Sequence, residues 1–348
     1  MRVAVLGAGS WGTAMASHLA TMGHDVRVWA REEEVVEGIN RGRRNPLYLV
    51  ELEIPRGVSA HAGLEDALQG AELVVMAVPS RWTREVAARA APLVPAGAAV
   101  VNLAKGFDYR NGERLSVVIA KELRRDPREG VAVLSGPNHA EEVSRGVPSA
   151  TVIACGDASL ARELQAVFSS DYFRVYTNRD VIGVEVGGAY KNVVAIAAGV
   201  LDGLGLGDNT KASLITRGLA EMARFGAALG ANPITFSGLS GIGDLIVTCI
   251  SRHSRNRGFG EELGRGKEPG KVLQASRMVV EGVYTTGIVV QLARELDVET
   301  PIADGVKAVL DGEGKPAEVA RRLMTRRLKE ETEESLYRDF LLREGGEG

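Results

Sequence analysis

The first thirty residues combine two spacings of hydrophobic positions. Val3–Leu6 is a short continuous apolar run, apolar residues then recur at the spacing of one helix face from Ala14 to Met22, and Asp25–Ala30 is a second strand-like run. Two parallel strands need a crossover between them, and a helix is the usual one. The pattern therefore predicts a βαβ unit and, with it, a parallel sheet.

Strand-like and helix-like segments continue to alternate until about residue 180. Short continuous apolar runs are typical of strands buried on both faces, which predicts an α/β domain with a doubly wound, mostly parallel sheet. The predicted buried strands are Leu73–Val78, Val100–Leu103 and Val131–Leu134, and the predicted helices between them are Thr83–Ala91 and Glu113–Leu123. Edge strands are expected at Ala150–Ala154 and Phe173–Tyr176, around a helix at Leu160–Phe168.

After Asp180 the strand-like runs stop and long segments rich in Ala, Leu and Gly follow. They predict helices at Val181–Leu201, Thr210–Leu229, Thr286–Leu296 and Ala303–Leu310. We therefore expect an all-α domain after the α/β domain. The predicted boundaries are 1–180 for the first domain and 181–335 for the second, with a loose tail at 336–348.

Composition and charge exclude several classes of protein. With 45% hydrophobic and 25% charged residues, the chain has the balance of a folded globular protein. Its net charge of -3 provides no general positive field for nucleic acid or an anionic membrane, so any anion has to be bound at a local site. Cys155 and Cys249 form neither a CxxC motif nor a cluster with histidine, which argues against a metal site.

No segment of the sequence predicts a membrane anchor or a signal peptide. The most apolar stretch, Val193–Leu201, has about half of the roughly 20 residues needed to cross a bilayer. The first strand runs directly into a glycine-rich turn, unlike a cleavable signal peptide. We therefore expect a cytoplasmic protein, with no nucleic acid and no integral membrane among its partners.

A glycine-rich turn joins the first predicted strand to the first predicted helix. Gly7–Gly12 is a GxGxxG motif within a βαβ unit, which is the fingerprint of a dinucleotide-binding Rossmann domain. The first glycine permits a tight turn, the second lets the backbone approach a pyrophosphate, and the third lets the helix pack on the sheet. The residues expected to bind the dinucleotide at this helix N-terminus are Gly7, Gly9, Ser10, Trp11 and Gly12.

The second predicted strand ends in Arg31 and Glu32, where dinucleotide-binding domains distinguish two cofactors. An acid here bonds the ribose 2′-hydroxyl of NAD, whereas a cation accommodates the 2′-phosphate of NADP. Arg31 slightly favours NADP, whereas Glu32 is also compatible with NAD. The alternative is that Arg31 is one of many solvated arginines.

Polar residues follow the carboxyl ends of the predicted strands, where open α/β sheets bind their ligands. Lys105 follows the strand at Val100–Leu103, and Gly136 and Asn138 follow the strand at Val131–Leu134. The chain has 33 Arg and only 9 Lys, none of them before Lys105, so a lysine here is less often a merely solubilising residue. We expect Lys105 to bind an anion of substrate or cofactor; the alternative is an ordinary lysine at the rim.

The predicted helix Val181–Leu201 carries only two charged residues, Glu185 and Lys191, and is expected to be buried nearly all round. Burying an ammonium group is costly unless the group is paired or used, and desolvation lowers the pKa of an amine. Lys191 is therefore a candidate general acid/base. A structural pair with Glu185 is the alternative, although residues six apart do not share a helix face. Gly187, Gly188 and Ala189 are expected to form a low surface for a nicotinamide ring.

Ser251–Arg257 is a basic, hydroxyl-rich cluster that leads into a predicted helix at Phe259–Leu263. Arginine with serine and asparagine at a helix N-terminus provides the guanidinium fork, hydroxyl groups and free amides that suit a phosphate. A solvated loop is the alternative. Asp244 lies in a glycine-rich turn, where its carboxylate could orient a substrate hydroxyl or the Lys191 ammonium.

Several of these motifs occur together in one known family. They are Gly7–Gly12 with Ser10-Trp11, Ala104-Lys105-Gly106, Ser135-Gly136-Pro137, Gly188-Ala189-Tyr190-Lys191-Asn192 running on to Gly207 and Asn209, Ser254-Arg255-Asn256-Arg257, and Val279-Val280-Glu281-Gly282. Over essentially its whole length the sequence resembles NAD(P)-dependent glycerol-3-phosphate dehydrogenase of the bacterial type.

The resemblance implies roles for individual residues. It makes Lys191 the catalytic acid/base of hydride transfer between a nicotinamide and C2 of dihydroxyacetone phosphate or sn-glycerol 3-phosphate. The substrate contacts that it implies are Lys105, Gly136, Asn138, Lys191, Asp244, Ser254, Arg255 and Asn256. The NADP or NAD contacts that it implies are Ser10, Trp11, Arg31, Lys105, Ala140, Arg255, Val280 and Glu281. It also implies a homodimer, no metal, and a supply of glycerol phosphate to phospholipid synthesis.

Two positions depart from the family pattern. Asn138-His139 stands where the family usually has Ser or Thr followed by an aromatic residue, which bears on the substrate contact at position 138. Tyr190 replaces the aliphatic residue or Thr that is common before the lysine, which bears on the packing beside it.

Two other functions compete with this one. A 3-hydroxyacid or 6-phosphogluconate dehydrogenase also joins a Rossmann domain to a helical domain and uses a lysine. In those enzymes Asn follows the lysine by four residues, whereas Asn192 is adjacent to Lys191. A dinucleotide sensor without turnover is the second rival, but a sensor has no use for a lysine buried in an apolar helix.

Overall fold

The computed structural model of the chain describes residues 1–127, 130–276, 279–328 and 330–331. The chain divides into two compact units, Met1–Val181 and Ile182–Gly348, a division that lies one residue after the predicted domain boundary. The predicted loose tail at 336–348 lies outside the described residues.

Eight strands form one sheet in the first unit. They are β1 (Arg2–Leu6), β2 (Asp25–Trp29), β3 (Val58–His61), β4 (Leu73–Met76), β5 (Ala99–Asn102), β6 (Ala132–Ser135), β7 (Ser149–Ala154) and β8 (Phe173–Asn178). Their order is β3-β2-β1-β4-β5-β6-β7-β8, and every pair is parallel except β6 with β7. The predicted doubly wound, mostly parallel sheet is confirmed, and the strand order reverses between β1 and β4.

Two features of the sheet differ from the sequence prediction. Val58–His61 forms an additional edge strand, which the sequence analysis missed because Ser59 and His61 interrupt any continuous apolar run. The edge position expected for Ala150–Ala154 is wrong, since β7 lies between β6 and β8. Only β8 occupies that edge, and its first residues are alternately buried and exposed.

Helices cover both faces of the sheet. They are α1 (Ser10–Thr21), α2 (Glu33–Gly42), α3 (Leu64–Leu68), α4 (Ser80–Ala90), α5 (Leu115–Glu122), α6 (Ala140–Val143) and α7 (Ala158–Phe168). Successive residues of β1 enter two separate apolar cores: Val3 and Val5 pack in one, Ala4 and Leu6 in the other. This is the burial on two faces that the continuous apolar runs predict.

The described residues of the second unit form helices and no strand, as predicted. They are α8 (Val181–Gly203), α9 (Asp208–Ala228), α10 (Asp244–Ile250), α11 (Arg255–Gly264), α12 (Pro269–Ala275), α13 (Glu281–Glu295), α14 (Pro301–Leu310) and α15 (Pro316–Met324). A 3₁₀ turn at Pro233–Ser237 and a π turn at Leu239–Gly243 lie between α9 and α10.

The apolar helix α8 is a core helix of the second unit. Residues 183–196 are buried without interruption, as predicted from its scarcity of charges. Among the described residues α8 is the one helix long and apolar enough to cross a membrane, but 83% of its apolar window is buried inside the protein. Its hydrophobicity is therefore used in packing against other helices.

Glycines let α8 and α11 pack with their backbones in contact. Gly199 and Gly203 lie one turn apart on α8, and Gly260 and Gly264 lie one turn apart on α11. A Cβ on any of these four glycines would collide with a backbone oxygen of the other helix. Because backbone cannot move aside cheaply, glycine is required at this crossing, which holds α11 close against α8.

Candidate functional site

The glycine-rich turn ends β1 and opens α1. Gly7 has a φ of +117°, which other residues rarely adopt, and a Cβ there would lie 2.8 Å from the Ala77 carbonyl oxygen. A Cβ on Gly12 would collide with the Gly7 carbonyl oxygen, so the helix packs tightly on the turn. A Cβ on Gly9 would meet nothing within 4 Å. The turn is therefore closed on its protein side and open at Gly9.

The first turn of α1 provides amide groups for an anion. Gly9 is the N-cap residue, and no side chain of the described residues caps this helix. The first amides of a helix have no partner within the helix, and the helix dipole adds positive potential there. Ser10 and Trp11 are half-buried in this turn. The geometry therefore fits the pyrophosphate of a dinucleotide.

Arg31 lies just after β2 and is paired with its neighbour. Its side chain is 71% exposed, and its Nη2 and Nε donate to Oε1 of Glu32 at 2.6 and 3.1 Å. A 2′-phosphate would have to compete with Glu32 for the guanidinium group. This pairing gives NADP no clear advantage over NAD.

Lys105, Gly136 and Asn138 come together beyond the carboxyl ends of β5 and β6. The Lys105 Nζ donates to the Gly136 carbonyl oxygen at 3.0 Å and to Asn138 Oδ1 at 3.1 Å. The Asn138 amide donates to Thr151 Oγ1 on β7, also at 3.1 Å. Asn138 therefore connects the Lys105 ammonium to the sheet in this chain. Ala140, the remaining predicted cofactor contact here, is the buried first residue of α6.

Lys191 is buried on α8 and ion-paired with Asp244, the first residue of α10. The exposed fractions of the two side chains are 7% and 1%. Of the two partners expected for the Asp244 carboxylate, the structure provides the Lys191 ammonium. Thr248, one turn further along α10, donates to the Asp244 carbonyl oxygen at 2.6 Å. The carboxylate offsets the cost of burying the ammonium charge.

The expectation that Gly187 forms an open surface for a nicotinamide ring is wrong. A Cβ on Gly187 would collide with the Ser240 carbonyl oxygen and lie 3.6 Å from the Cα of Gly241. The π turn therefore covers this part of α8. The missing side chain lets the π turn, and with it Asp244, approach the helix that carries Lys191.

Asn192, which the sequence analysis did not single out as a ligand, connects α8 to α11 and α13. The Asn256 Nδ2 donates to Asn192 Oδ1 at 2.9 Å, and the Gly282 amide donates to Asn256 Oδ1 at 2.9 Å. The Asn256 amide group thus joins three helices beside Lys191. The available signals were its position next to the lysine and its place in the motif Gly188-Ala189-Tyr190-Lys191-Asn192.

The predicted phosphate cluster lies at the N-terminus of α11, which begins four residues before its predicted start. Ser254 is the N-cap, and its Oγ accepts the Arg257 amide at 3.2 Å, a bond that accounts for the earlier start. Arg255 is exposed, and its Nη1 donates to the Val279 carbonyl oxygen at 3.2 Å. The structure therefore places Arg255 beside the segment with Val280, the N-cap of α13, and Glu281, its first residue.

Tyr190, on the other side of Lys191, is also anchored. Its hydroxyl donates to Glu221 Oε1 at 2.7 Å, and Glu221 accepts two backbone amides at the N-terminus of α14. Burial raises the pKa of Glu221 to about 7, although these hydrogen bonds oppose the shift. Lys191 therefore lies between two neighbours, Tyr190 and Asn192, that are each bonded to another helix.

Cys249 lies near Lys191 and Asp244, but its thiol is unreactive. The thiol is fully buried, and burial raises its pKa to about 12, so it stays protonated at neutral pH. Among the described residues no group of three His, Cys, Asp or Glu side chains is placed to hold a metal ion.

The chain combines an open glycine-rich turn on a doubly wound sheet with a helical unit that holds a buried Lys-Asp pair. This combination defines an NAD(P)-dependent dehydrogenase. The model of the NAD-dependent glycerol-3-phosphate dehydrogenase N-terminus matches residues 2–161, and the model of the C-terminus of the same enzymes matches residues 180–321. The chain belongs to the glycerol-3-phosphate dehydrogenase family, which confirms the resemblance seen in its motifs.

Relatives of nearly the same length support this assignment. The chain is 48% identical over 329 residues to glycerol-3-phosphate dehydrogenase [NAD(P)+] 2 of Salinibacter ruber, covering 94% of this chain and 96% of the relative. It is 48% identical over 330 residues to glycerol-3-phosphate dehydrogenase [NAD(P)+] of Geobacillus thermodenitrificans, with the same two coverages.

Solved structures agree with the sequence relatives. The crystal structure of glycerol-3-phosphate dehydrogenase from Coxiella burnetii has a TM-score of 0.88 and 38% identity, and the match covers 93% of this chain and 99% of that one. A ketopantoate reductase from Ralstonia eutropha has a TM-score of 0.58 at 20% identity, with 93% and 100% covered. The second likeness shows the fold alone.

Proposed function

We propose that this chain interconverts dihydroxyacetone phosphate and sn-glycerol 3-phosphate, with NAD(H) or NADP(H) as the hydride carrier. The observation that carries the proposal is the buried Lys191, ion-paired with Asp244, in a chain of this family. In this proposal the first unit is the dinucleotide-binding domain and the second is the substrate-binding and catalytic domain.

Lys191 is the proposed acid and base of the reaction. A bound dinucleotide supplies the hydride that C2 of the ketone accepts, or takes it back in the oxidising direction. The Lys191 ammonium donates a proton to the oxygen on C2 as the alcohol forms, and the neutral amine accepts that proton in reverse. Asp244 holds Nζ and stabilises its positive charge, and the burial of both groups keeps water from competing for the proton.

The substrate phosphate is assigned to the N-terminus of α11. Arg255 supplies an exposed guanidinium group there, Ser254 and Asn256 flank it, and the free amides of the helix add donors. Lys105, with Gly136 and Asn138, is the proposed anion contact of the first unit. Binding energy from the phosphate then positions C2 for transfer.

The dinucleotide contacts are assigned to two sets of residues, one in each unit. In the first unit they are Gly7, Gly9, Ser10, Trp11, Gly12, Arg31, Lys105 and Ala140. In the second they are Arg255, Val280 and Glu281. The open side of the turn at Gly9 and the N-terminus of α1, which no described side chain caps, support the first set.

The family assignment supports a proposal about the setting of the enzyme. We propose a homodimer in the cytoplasm that supplies glycerol phosphate for phospholipid synthesis. The burial of α8 inside the protein supports a chain that is not held in a membrane by this helix.

The decisive experiment follows the absorbance of NADH and NADPH as each is mixed with enzyme and one candidate substrate. Dihydroxyacetone phosphate is expected to cause rapid loss of absorbance, and keto forms of 3-hydroxyacids are not. Oxidation driven only by a ketoacid would favour the hydroxyacid dehydrogenase class, and binding without any turnover would favour a sensor.

Arg255→Ala should mainly raise the KM for dihydroxyacetone phosphate; a change confined to cofactor affinity would contradict its phosphate role.

A further inference from the structure

Asn45 is a completely buried amide that reaches the glycine-rich turn from a distant part of the chain. It follows α2, is 0% exposed, and its Nδ2 donates to the Ala8 carbonyl oxygen and to Thr13 Oγ1, both at 2.9 Å. Its Oδ1 accepts the amides of Leu47 and Tyr48 at 3.0 and 3.1 Å. An asparagine side chain has two N–H donors and two acceptor positions, so every one of them is used.

The Ala8 carbonyl group is held from two sides. Thr13 donates its hydroxyl to the same oxygen at 3.1 Å while accepting from Asn45. Both side chains are buried, Thr13 at 2% exposure, so water does not compete with these bonds. Hydrogen bonds of buried polar groups are costly to break, and the orientation of this carbonyl is therefore well determined.

The direction of that carbonyl determines the direction of the next amide. The Ala8 oxygen and the Gly9 N–H belong to one trans peptide group and point in opposite directions. With the oxygen turned inward toward Asn45 and Thr13, the Gly9 N–H is turned outward. Gly9 is also the glycine of this motif at which an added Cβ would meet nothing within 4 Å, so a ligand can come close to its backbone.

We propose that Asn45 is a positioning residue of the dinucleotide site: by holding the Ala8 carbonyl, it keeps the Gly9 amide aimed at the pyrophosphate. The inference rests on the dinucleotide-binding part of the proposed function. It adds to the GxGxxG motif a residue outside the motif, Asn45, that this binding requires. Asn45 acts through the turn and does not itself contact the reacting atoms.

Asn40, an exposed residue of the same unit, offers a control. It lies on α2, and its side chain makes a similar two-way contact with the backbone of Ala60: Nδ2 donates to the carbonyl oxygen and Oδ1 accepts the amide, both at 2.8 Å. These bonds join α2 to β3 and do not reach the glycine-rich turn. Loss of either amide should lower stability, but only loss of the Asn45 amide should alter the turn.

The test compares Asn45→Ala with Asn40→Ala in the full-length enzyme, using titration calorimetry with NADPH and with ADP-ribose, which retains the pyrophosphate but lacks the nicotinamide. We expect Asn45→Ala to raise the Kd of both ligands about tenfold or more, because one or two hydrogen bonds to the ligand would be misplaced. Asn40→Ala should lower Tm and leave both affinities within about twofold of wild type. At saturating cofactor, kcat of the Asn45 variant should stay within about threefold of wild type.

A second variant covers the case in which Asn45→Ala does not fold. Thr13→Val removes the other donor to the Ala8 carbonyl and should weaken ADP-ribose about threefold. Equal losses of affinity in the Asn45 and Asn40 variants, or an unchanged affinity in a folded Asn45→Ala variant, would overturn the proposal. If Asn45→Ala does not fold, an unchanged affinity in Thr13→Val would overturn it. Turnover of dihydroxyacetone phosphate by wild type is measured separately, so failure of the proposed reaction is distinguishable from failure of this positioning role.

Discussion

The two units use different parts of the polypeptide to build their candidate sites. In the first unit the groups proposed to bind a ligand are mostly backbone: the open turn at Gly9 and the N-terminus of α1, which no described side chain caps. In the second unit they are side chains, with Lys191 bonded to Asp244 and flanked by two anchored neighbours. The first site therefore depends on glycine spacing, and the second depends on which helices pack together.

This difference predicts different sensitivities. A backbone site tolerates changes of side chain unless they alter the turn, whereas a side-chain site fails when one functional group is removed. The following variants test the comparison, from the largest expected effect to the smallest.

Lys191→Met should lower kcat by about 10²- to 10⁴-fold, because it removes the proposed general acid/base and keeps a side chain of similar length. Stopped-flow or steady-state kinetics with dihydroxyacetone phosphate would measure the change, and affinity for NADPH should stay nearly constant. Since the substitution leaves Asp244 buried without its counter-charge, the double variant with Asp244→Asn is the control for stability. It should regain Tm without regaining kcat. Wild-type turnover in the single variant would disprove the assignment.

Gly199→Ala tests whether the α8–α11 crossing in the second unit requires glycine. A Cβ at this position collides with backbone, so we expect a loss of about 3 kcal/mol or more in the free energy of unfolding. Gly258→Ala, on α11 but with nothing within 4 Å of its would-be Cβ, is the matched control. It should change stability by about 1 kcal/mol at most, in the stabilising direction. Urea unfolding of both variants would contradict the prediction if the two midpoints were the same.

Glu221→Gln tests the pH dependence expected from the Tyr190 anchor. The pKa of Glu221 is raised to about 7 in the folded protein, so the native state binds this proton more tightly than the unfolded chain does. Protonation of Glu221 therefore adds to the free energy of unfolding, on the order of 3 kcal/mol in total. This stabilisation is fully present below the pKa of the unfolded chain and is lost as pH rises toward 7. Glutamine cannot titrate, so the difference in unfolding free energy between wild type and variant should change across pH 4.5 to 7. Parallel pH profiles would show that Glu221 does not titrate there.

Glu32→Gln should produce the smallest effect, at the rim of the first site. Releasing Arg31 from its partner should raise the ratio of kcat/KM for NADPH to that for NADH by about two- to fivefold, since exposed ion pairs contribute at most about 1 kcal/mol. Glu34→Gln removes the same charge from an exposed position two residues further on and is the control. An equal ratio in the two variants would show that general charge, and not the Arg31 pair, affects cofactor preference.

Local spacing was sufficient for the architecture of the first unit and for its dinucleotide turn. Alternating apolar runs and helical spacings predict the βαβ units, and GxGxxG predicts the turn, because both depend on backbone conformation over a few residues. The two errors have different causes: β3 lacks a continuous apolar run, and the positions of β7 and β8 in the sheet depend on pairing between strands that no single segment records.

Lys191 could also be singled out from sequence, because an apolar helix with two charges has to bury at least part of them. The sequence left two partners open for Asp244, a substrate hydroxyl and the Lys191 ammonium. Asp244 is 53 residues from Lys191 and reaches it only because Gly187 admits the π turn. Asn45 gave no signal at all, 37 residues from the carbonyl group that it holds. Neighbouring residues determine the backbone conformation of a turn, a strand or a helix. Hydrogen-bond and ion-pair partners depend on the packing of helices and strands that are far apart in the sequence.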